Sequence, residues 1–335
     1  MEGVDRTAAS AAGVGAASAQ AEPKIIVLTD GKAGHENQSK AFARALGGDF
    51  RLVPVRFRSP LRKALSYLLD AVGIRSLSLV EFPEATGIPD FQDGPGRVAV
   101  IGTGSGTVYA AKALARRIPG AKCGVVLYPR GYRLSSFDCI LAPSFDGPAK
   151  RGNVVEIPAN LVANDAGFYE KGVEAFKERH DGPTDNLVGV IVGGPNKCST
   201  MTPGWMKARL DEIFAANAGA QLCVTTSRRT PAGVEAVVDS YPWAYKLIYS
   251  RDRFNPIPAF VRLARRLYVT AESTGMLSEA CTFGSAEVVA LDNLNPGPHK
   301  FRRFVENLRR DGYVDGNRKI DLSAEFARAR ELMGL

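Results

Sequence analysis

Absences narrow the reading of this chain first. Its five cysteines (Cys123, Cys139, Cys198, Cys223 and Cys281) are odd in number, scattered, and never spaced as CxxC. That excludes a disulfide frame and a zinc site, and predicts reduced thiols in the core of a cytoplasmic protein. No apolar run approaches the ~18 residues that a spanning helix needs. The stretch to Ala21 is rich in Ala, Gly and Ser but has neither a basic start nor a Leu-rich segment. Residues 1–22 therefore read as a flexible tail, not a signal peptide. A GxxxxGK[ST] loop and a full GxGxxG fingerprint are both missing, which argues against an NTPase and a standard nicotinamide enzyme. No helix-turn-helix or aromatic RNA-binding motif supports a nucleic-acid partner.

What remains is an ordinary globular composition over 335 residues, 45% hydrophobic and 23% charged, enough for one large or two medium domains. The net charge of +8 favours anionic partners, or simply solubility, depending on where the bases lie. Apolar runs at 24–29, 50–57, 97–101, 123–127, 139–142 and 154–158 read as strands, with helices at 37–46, 60–72 and 107–118. The polar segment 164–186, helical over 168–179, breaks this rhythm and reads as a linker. Alternation then restarts, with strands at 187–192, 222–226, 246–249, 266–269 and 287–291. Helices at 203–217, 232–240, 275–283 and 300–311 lie between and after them. A last helix at 323–333, within 321–335, is expected to cross back over the first domain. Strands alternating with helices imply parallel, doubly wound sheets. The expected architecture is α/β: two Rossmann-like domains, 23–163 and 187–320, facing across a cleft.

Open α/β sheets bind ligands beyond the carboxyl ends of their strands, where this chain concentrates unusual residues. After the first strand comes D-G-K-A-G-H-E-N-Q-S, with Asp30, Gly31, Lys32, Gly34, His35, Glu36, Asn37 and Gln38. Its glycines let the backbone approach a ligand. After Ile101 comes G-T-G-S-G-T, containing Gly104 and Ser105, for which a tight turn is the better reading. In the second half, G-G-P-N-K carries Gly193, Gly194 and Asn196, and T-T-S-R-R-T-P carries Ser227, Arg228 and Arg229. Helix N-termini with free N–H groups attract phosphate, and the two arginines add charge-assisted donors. The stretch V-T-A-E-S-T-G-M-L-S-E-A places Ser273, Thr274, Ser278 and Glu279 at another helix start. Glu279 either meets a ligand or offsets the helix dipole, worth ~0.3–1 kcal/mol.

These motifs, in this order, resemble those of the mitochondrial-fission ELM-like family, over roughly residues 24–330. Ala33 stands where proline is expected. The resemblance implies a fold related to the GT-B glycosyltransferases. More distantly, the chain is similar to the peptidoglycan N-acetylglucosaminyltransferase, whose corresponding features fall at His35, Gly193–Asn196 and Glu279. That likeness implies that Glu279 accepts hydrogen bonds from the ribose hydroxyls of a nucleotide sugar, with Ser273, Thr274 and their helix N-terminus beside its diphosphate. His299 and Lys300, which open a later helix, could contact phosphate too. Of three histidines (His35, His180 and His299), His35 is the best placed to deprotonate an acceptor hydroxyl, with Asp30 orienting it; the plain alternative is a capping histidine.

The resemblance thus implies a GT-B-like hexosyl transfer from a nucleotide-sugar donor to a glycan or lipid-linked envelope acceptor. No cofactor is expected, and without a DxD pair no metal is either. Two rivals stand beside it: a nucleotide-sugar epimerase, and a non-catalytic scaffold in membrane remodelling. Arg56, Arg58, Arg62 and Lys63 surround a helix with an apolar face of Leu61, Leu65, Leu68, Leu69 and Val72. Such a face is expected to be core. The other reading, a basic amphipathic helix resting on anionic membrane, leaves open a peripheral position at the inner membrane.

Overall fold

The computed structural model describes residues 24–83 and 98–335. The expected tail, 1–22, and Arg97, the first residue of one expected strand, lie outside the described residues. In the first lobe the strands are β1 (Lys24–Thr29), β2 (Phe50–Pro54), the short β3 (Arg56–Phe57) and β4 (Val80–Glu81), β5 (Val98–Thr103), β6 (Lys122–Val126), β7 (Cys139–Pro143) and β8 (Val154–Ile157). The helices are α1 (Ala33–Ala45), α2 (Pro60–Ala71) and α3 (Val108–Ala115), followed by α4 (Ala166–Lys177). Six strands form one parallel sheet in the order β2-β1-β5-β6-β7-β8, while β3 and β4 pair apart from it, antiparallel. The expected strand at 50–57 is thus split between two sheets.

The second lobe alternates β9 (Leu187–Ile191), α5 (Pro203–Ala216), β10 (Gln221–Thr225), α6 (Ala232–Asp239), β11 (Tyr245–Leu247), α7 (Ile257–Leu263), β12 (Arg266–Thr270), α8 (Thr274–Phe283), β13 (Glu287–Leu291) and α9 (Lys300–Arg310), then α10 (Ser323–Met333). Its sheet is parallel, in the order β11-β10-β9-β12-β13. Strands covered on both faces must be apolar along their whole length. In β1 every residue after Lys24 is buried, and β5 and β9 are buried throughout. The molecule is α/β, with two Rossmann-like sheets. Four of the five cysteines are buried free thiols and Cys198 is half-buried; burial pushes the Cys139 thiol up to about 12.

The lobes are tied at several points. Tyr169 and Phe176 of α4 sit in the core of the second lobe, so this helix packs as part of that lobe. The segment between β8 and α4 grips α8: the Asn160 amide donates to Ser278 Oγ (3.2 Å), and Asn160 Nδ2 donates to Thr274 Oγ1 (3.3 Å). Arg303 Nε of α9 donates to the Phe145 carbonyl (2.7 Å), beside an edge-to-face Phe145–Phe304 pair. α10 returns to the first lobe, where Ala329 and Met333 join Ile25, Val27 and Phe42 in one apolar cluster.

The structure corrects one expectation outright. α2 is amphipathic, but its apolar stripe is not core. Leu61, Leu68 and Val72 are 82, 69 and 69% exposed, with Leu65 and Ile74 also exposed. Of the stripe only Leu69 packs inward, beside Tyr67, which stacks on Tyr132. The buried stripe is polar. Ser66 and Asp70 are both fully buried, and Asp70 receives Lys112 Nζ of α3 at 2.8 and 2.7 Å and the Arg133 amide at 2.7 Å. Ser66 Oγ donates to the Lys63 carbonyl and shares a hydrogen bond with Tyr132 Oη (2.9 Å). A buried ion pair that lost its partner would cost several kcal/mol, so this network decides which face of α2 turns inward.

Candidate functional site

The order of the first sheet reverses at β1, which has β2 on one side and β5 on the other. At such a switch point the loops diverge and leave a crevice. Leu28 pairs with Gly102, so the carboxyl ends of β1 and β5 lie side by side. Asp30 leaves β1, Gly31 turns the chain with φ +76°, and α1 follows at once. His35 then sits with Nδ1 3.1 Å from both Asp30 carboxylate oxygens.

The loop after β5 forms the floor beneath this pair. It does turn, with Gly104 at φ +75°, but bareness is the stricter requirement. A Cβ on Gly104 would lie 2.4 Å from His35 Cε1, and one on Gly106 would lie 2.6 Å from Asp30 Oδ2. Burial raises the Asp30 carboxyl, but the hydrogen bond from Lys32 and the charge of His35 outweigh it and hold the group below the usual carboxylate range. Lys32 Nζ lies 2.9 Å from Asp30. Glu36 is engaged elsewhere, accepting from Thr29 Oγ1 (3.1 Å) and pairing with Lys40 (2.6 Å). Ser105 accepts from Lys63 Nζ (2.9 Å).

The second sheet reverses between β9 and β12. β12 leads into α8, whose first residues Thr274, Gly275 and Met276 line a cleft of about 620 Å³ together with Ser273. Glu279, one turn on, lines it too. Its Oε1 accepts from Tyr169 Oη (2.9 Å) and Asn164 Nδ2 (3.1 Å). Burial raises this carboxyl, and the two hydrogen bonds offset that only in part. From the first lobe, Gly34, His35, Asn37 and Gln38 line the same cleft, and Lys300 closes one side. Gln38 Oε1 is buried without a hydrogen-bond partner. Leu127, also on the wall, has φ 69°, a strained backbone for a branched residue.

Ser227, Arg228 and Arg229 line an adjoining cavity of about 280 Å³, which shares Ile257 and Met276 with the cleft. Gly193 and Gly194 are placed differently. Both are buried and their amides are already used, by Thr270 Oγ1 (2.9 Å) and by Glu272 Oε1 (2.7 Å). Their bareness serves neighbours: a Cβ would meet Glu272 Oε1 at 2.0 Å or the Arg229 carbonyl at 2.2 Å. Asn196 closes its own turn, with Oδ1 accepting from the Cys198 amide. Ser278 is fully buried and donates to the Thr274 carbonyl (2.6 Å). His299 caps α9, with Nδ1 accepting the Arg302 amide (3.2 Å) and Nε2 against the Asn295 carbonyl (3.1 Å).

The sequence reading missed Glu272, Asn160, Asn164, Tyr169 and Leu127. Glu272 adjoins Ser273 and Thr274 in the motif, which is the one local signal; the others meet the site only through tertiary contact. Among the described residues, no group of three or more His, Cys, Asp or Glu is arranged to hold a metal. Chemically, the arrangement offers an imidazole oriented by a carboxylate, facing a helix N-terminus and a second carboxylate across a cleft. With Nδ1–H donated to Asp30, the other ring nitrogen, Nε2, keeps its lone pair.

Solved structures share this fold at low identity. A putative UDP-N-acetylglucosamine 2-epimerase from Listeria monocytogenes superposes with a TM-score of 0.52 at 12% identity, covering 94% of this chain and 89% of that one. The UDP-GlcNAc 2-epimerase of Neisseria meningitidis gives 0.49 at 12%, covering 93% and 98%. MurG of Acinetobacter baumannii gives 0.46 at 11%, covering 92% of each chain. At such identities the likeness is one of fold, the two-lobed GT-B type. No protein of the curated set matched. One family model does match, over residues 33–326, which takes in His35 and Glu279 but begins after Asp30. The chain belongs to the mitochondrial fission ELM1 family.

Proposed function

We propose that this protein is a GT-B-type glycosyltransferase that moves a hexosyl group from a nucleotide sugar to a hydroxyl of a glycan or lipid-linked acceptor. The observation that carries the reading is the His35–Asp30 pair on its glycine floor, across one cleft from Glu279 and the α8 N-terminus. The donor's ribose hydroxyls donate to Glu279, and its diphosphate lies against the first turn of α8, where unpaired N–H groups and the helix dipole favour an anion. Arg228 and Arg229 add charge from the adjoining cavity. As the acceptor oxygen attacks the anomeric carbon, neutral His35 takes its proton at Nε2, while Asp30 holds the ring and stabilises the imidazolium. The leaving nucleoside diphosphate departs as an anion stabilised by those fixed donors, without a metal.

Uridine diphosphate is the first ligand to test, because the Listeria fold relative is described by a uridine nucleotide sugar. At about 100 times its Kd it adds about 2.7 kcal/mol of stability, read as a rise in melting temperature equal with and without EDTA. Glu279→Ala loses that rise while keeping the fold. His35→Ala keeps the rise and loses turnover by roughly 10²–10⁴-fold. No shift with any nucleoside diphosphate refutes the reading and leaves the scaffold. Conversion of a nucleotide sugar without acceptor identifies an epimerase instead.

A further inference from the structure

The outward stripe of α2 has no role in the cleft chemistry. Leu61, Leu65, Leu68 and Val72 follow one another at helical spacing, Ile74 extends them, and all five are exposed. Among the described residues, Phe168 is the only other large hydrophobic side chain this exposed. The stripe cannot turn inward. Rolling α2 would take Asp70 from Lys112 and the Arg133 amide, and Ser66 from Tyr132, leaving buried polar groups unpaired. The exposure is therefore built in, and a contiguous apolar surface rimmed by charge marks an interaction site.

Charge identifies the occupant. From residue 56 to 81 the chain carries five bases (Arg56, Arg58, Arg62, Lys63 and Arg75) and two acids, Asp70, which is buried, and Glu81, which pairs with Arg56. Arg58 and Arg62 flank the stripe and are anchored by their own donors, Arg58 Nε to the Val80 carbonyl (3.1 Å) and Arg62 Nη1 to the Ser78 carbonyl (2.6 Å). A second copy of this face would oppose like charges. An anionic lipid surface satisfies both halves at once, taking leucines below the headgroups and cations among them.

We propose that α2 docks the first lobe on an anionic bilayer, with Leu61, Leu65, Leu68 and Val72 inserted and Arg58 and Arg62 on the headgroups. The docked face adjoins the site. Lys63 of the same helix donates to Ser105, which lies between the two glycines beneath His35 and Asp30. Under the transferase reading, the surface thus presents a membrane-borne acceptor beside His35. Docking itself does not depend on that reading.

The test is sedimentation of the full chain with vesicles of phosphatidylcholine alone or with added phosphatidylglycerol, at low and high salt. The protein pellets with the anionic vesicles only, and less as salt rises. The doubles Leu61→Asp/Leu68→Asp and Arg58→Glu/Arg62→Glu each lower binding by at least about tenfold. The leucine double keeps the wild-type melting temperature, whereas the arginine double loses its donors to the Val80 and Ser78 carbonyls and melts somewhat lower. Both keep the rise with uridine diphosphate, so loss of docking is separable from failure of the nucleotide reading. Equal binding to neutral and anionic vesicles, no binding, or doubles that bind as wild type overturn the proposal. So does a dimer, seen by light scattering without lipid, that Leu61→Asp/Leu68→Asp splits.

Discussion

Replacing Lys112 by methionine tests the idea that a buried ion pair, not apolar packing, orients α2. Lys112 Nζ and the Asp70 carboxylate are both fully buried and meet at 2.7 Å. Nζ also donates to the Arg133 carbonyl at 3.0 Å. Burial pushes the ammonium below its usual pKa, and the partner Asp70 offsets this only in part. At an effective dielectric of about 20, a pair at this distance attracts by roughly 6 kcal/mol. Desolvation of the two ions, several kcal/mol each, consumes most of that. The intact pair is therefore near break-even, but its halves are not. Lys112→Met leaves Asp70 charged and buried with the Arg133 amide as its remaining donor, a loss of about 3–5 kcal/mol. Asp70→Leu with Lys112→Met removes both charges and leaves that amide unpaired, at about 1–3 kcal/mol. The double variant is thus more stable than the single. Both tryptophans, Trp205 and Trp243, lie in the second lobe, so amide exchange in α2 and α3 during urea titration is the suitable probe. A single variant within about 1 kcal/mol of wild type, or a double worse than the single, refutes the reasoning.

Under the proposed function, Glu279 makes nucleotide affinity depend on pH. Its carboxyl is raised by burial and the bound form needs it ionised, so affinity falls with falling pH before ordinary carboxylates titrate. The sign for stability is opposite: the unfolded chain ionises this group more easily, so stability falls as pH rises from the unfolded pKa to the raised folded one. Glu279→Gln is then at least as stable as wild type at neutral pH but binds uridine diphosphate roughly 10–100-fold more weakly by calorimetry; a Glu279→Gln affinity equal to that of wild type contradicts this. Gly104→Ala forces a Cβ against His35 at a position with φ +75°. It costs about 1–2 kcal/mol by urea titration and moves the His35 ring resonances, which are easily assigned among three histidines. Unmoved resonances would show that the floor does not hold the ring.

Elements whose reason is local were legible in the sequence. β13 and α10 have the bounds that their apolar pattern predicts. The Asp30–His35 contact spans five residues and was readable from one loop. α7 was not, because F-N-P-I-P reads as loop, yet proline suits the first turn of a helix. Periodicity showed that α2 has two faces but could not say which one is buried. That choice is made by Lys112, 42 residues away. Likewise nothing near Gly194 announces that Glu272, 78 residues on, takes its amide, and the donors to Glu279 lie 115 and 110 residues from it.

The return of α10 has a consequence in time. One face of the first sheet is closed by Ala329 and Met333, although that sheet's own strands end at Ile157. A chain made at about 5–20 residues per second therefore waits roughly 9–35 s between finishing β8 and supplying its last covering helix. Through that interval Ile25, Val27, Phe42 and Leu141 lack part of their cover, while the second lobe is being completed behind them. The first lobe to be synthesised is thus the last to be sealed, and that face is the apolar surface of the lobe that waits longest for its cover.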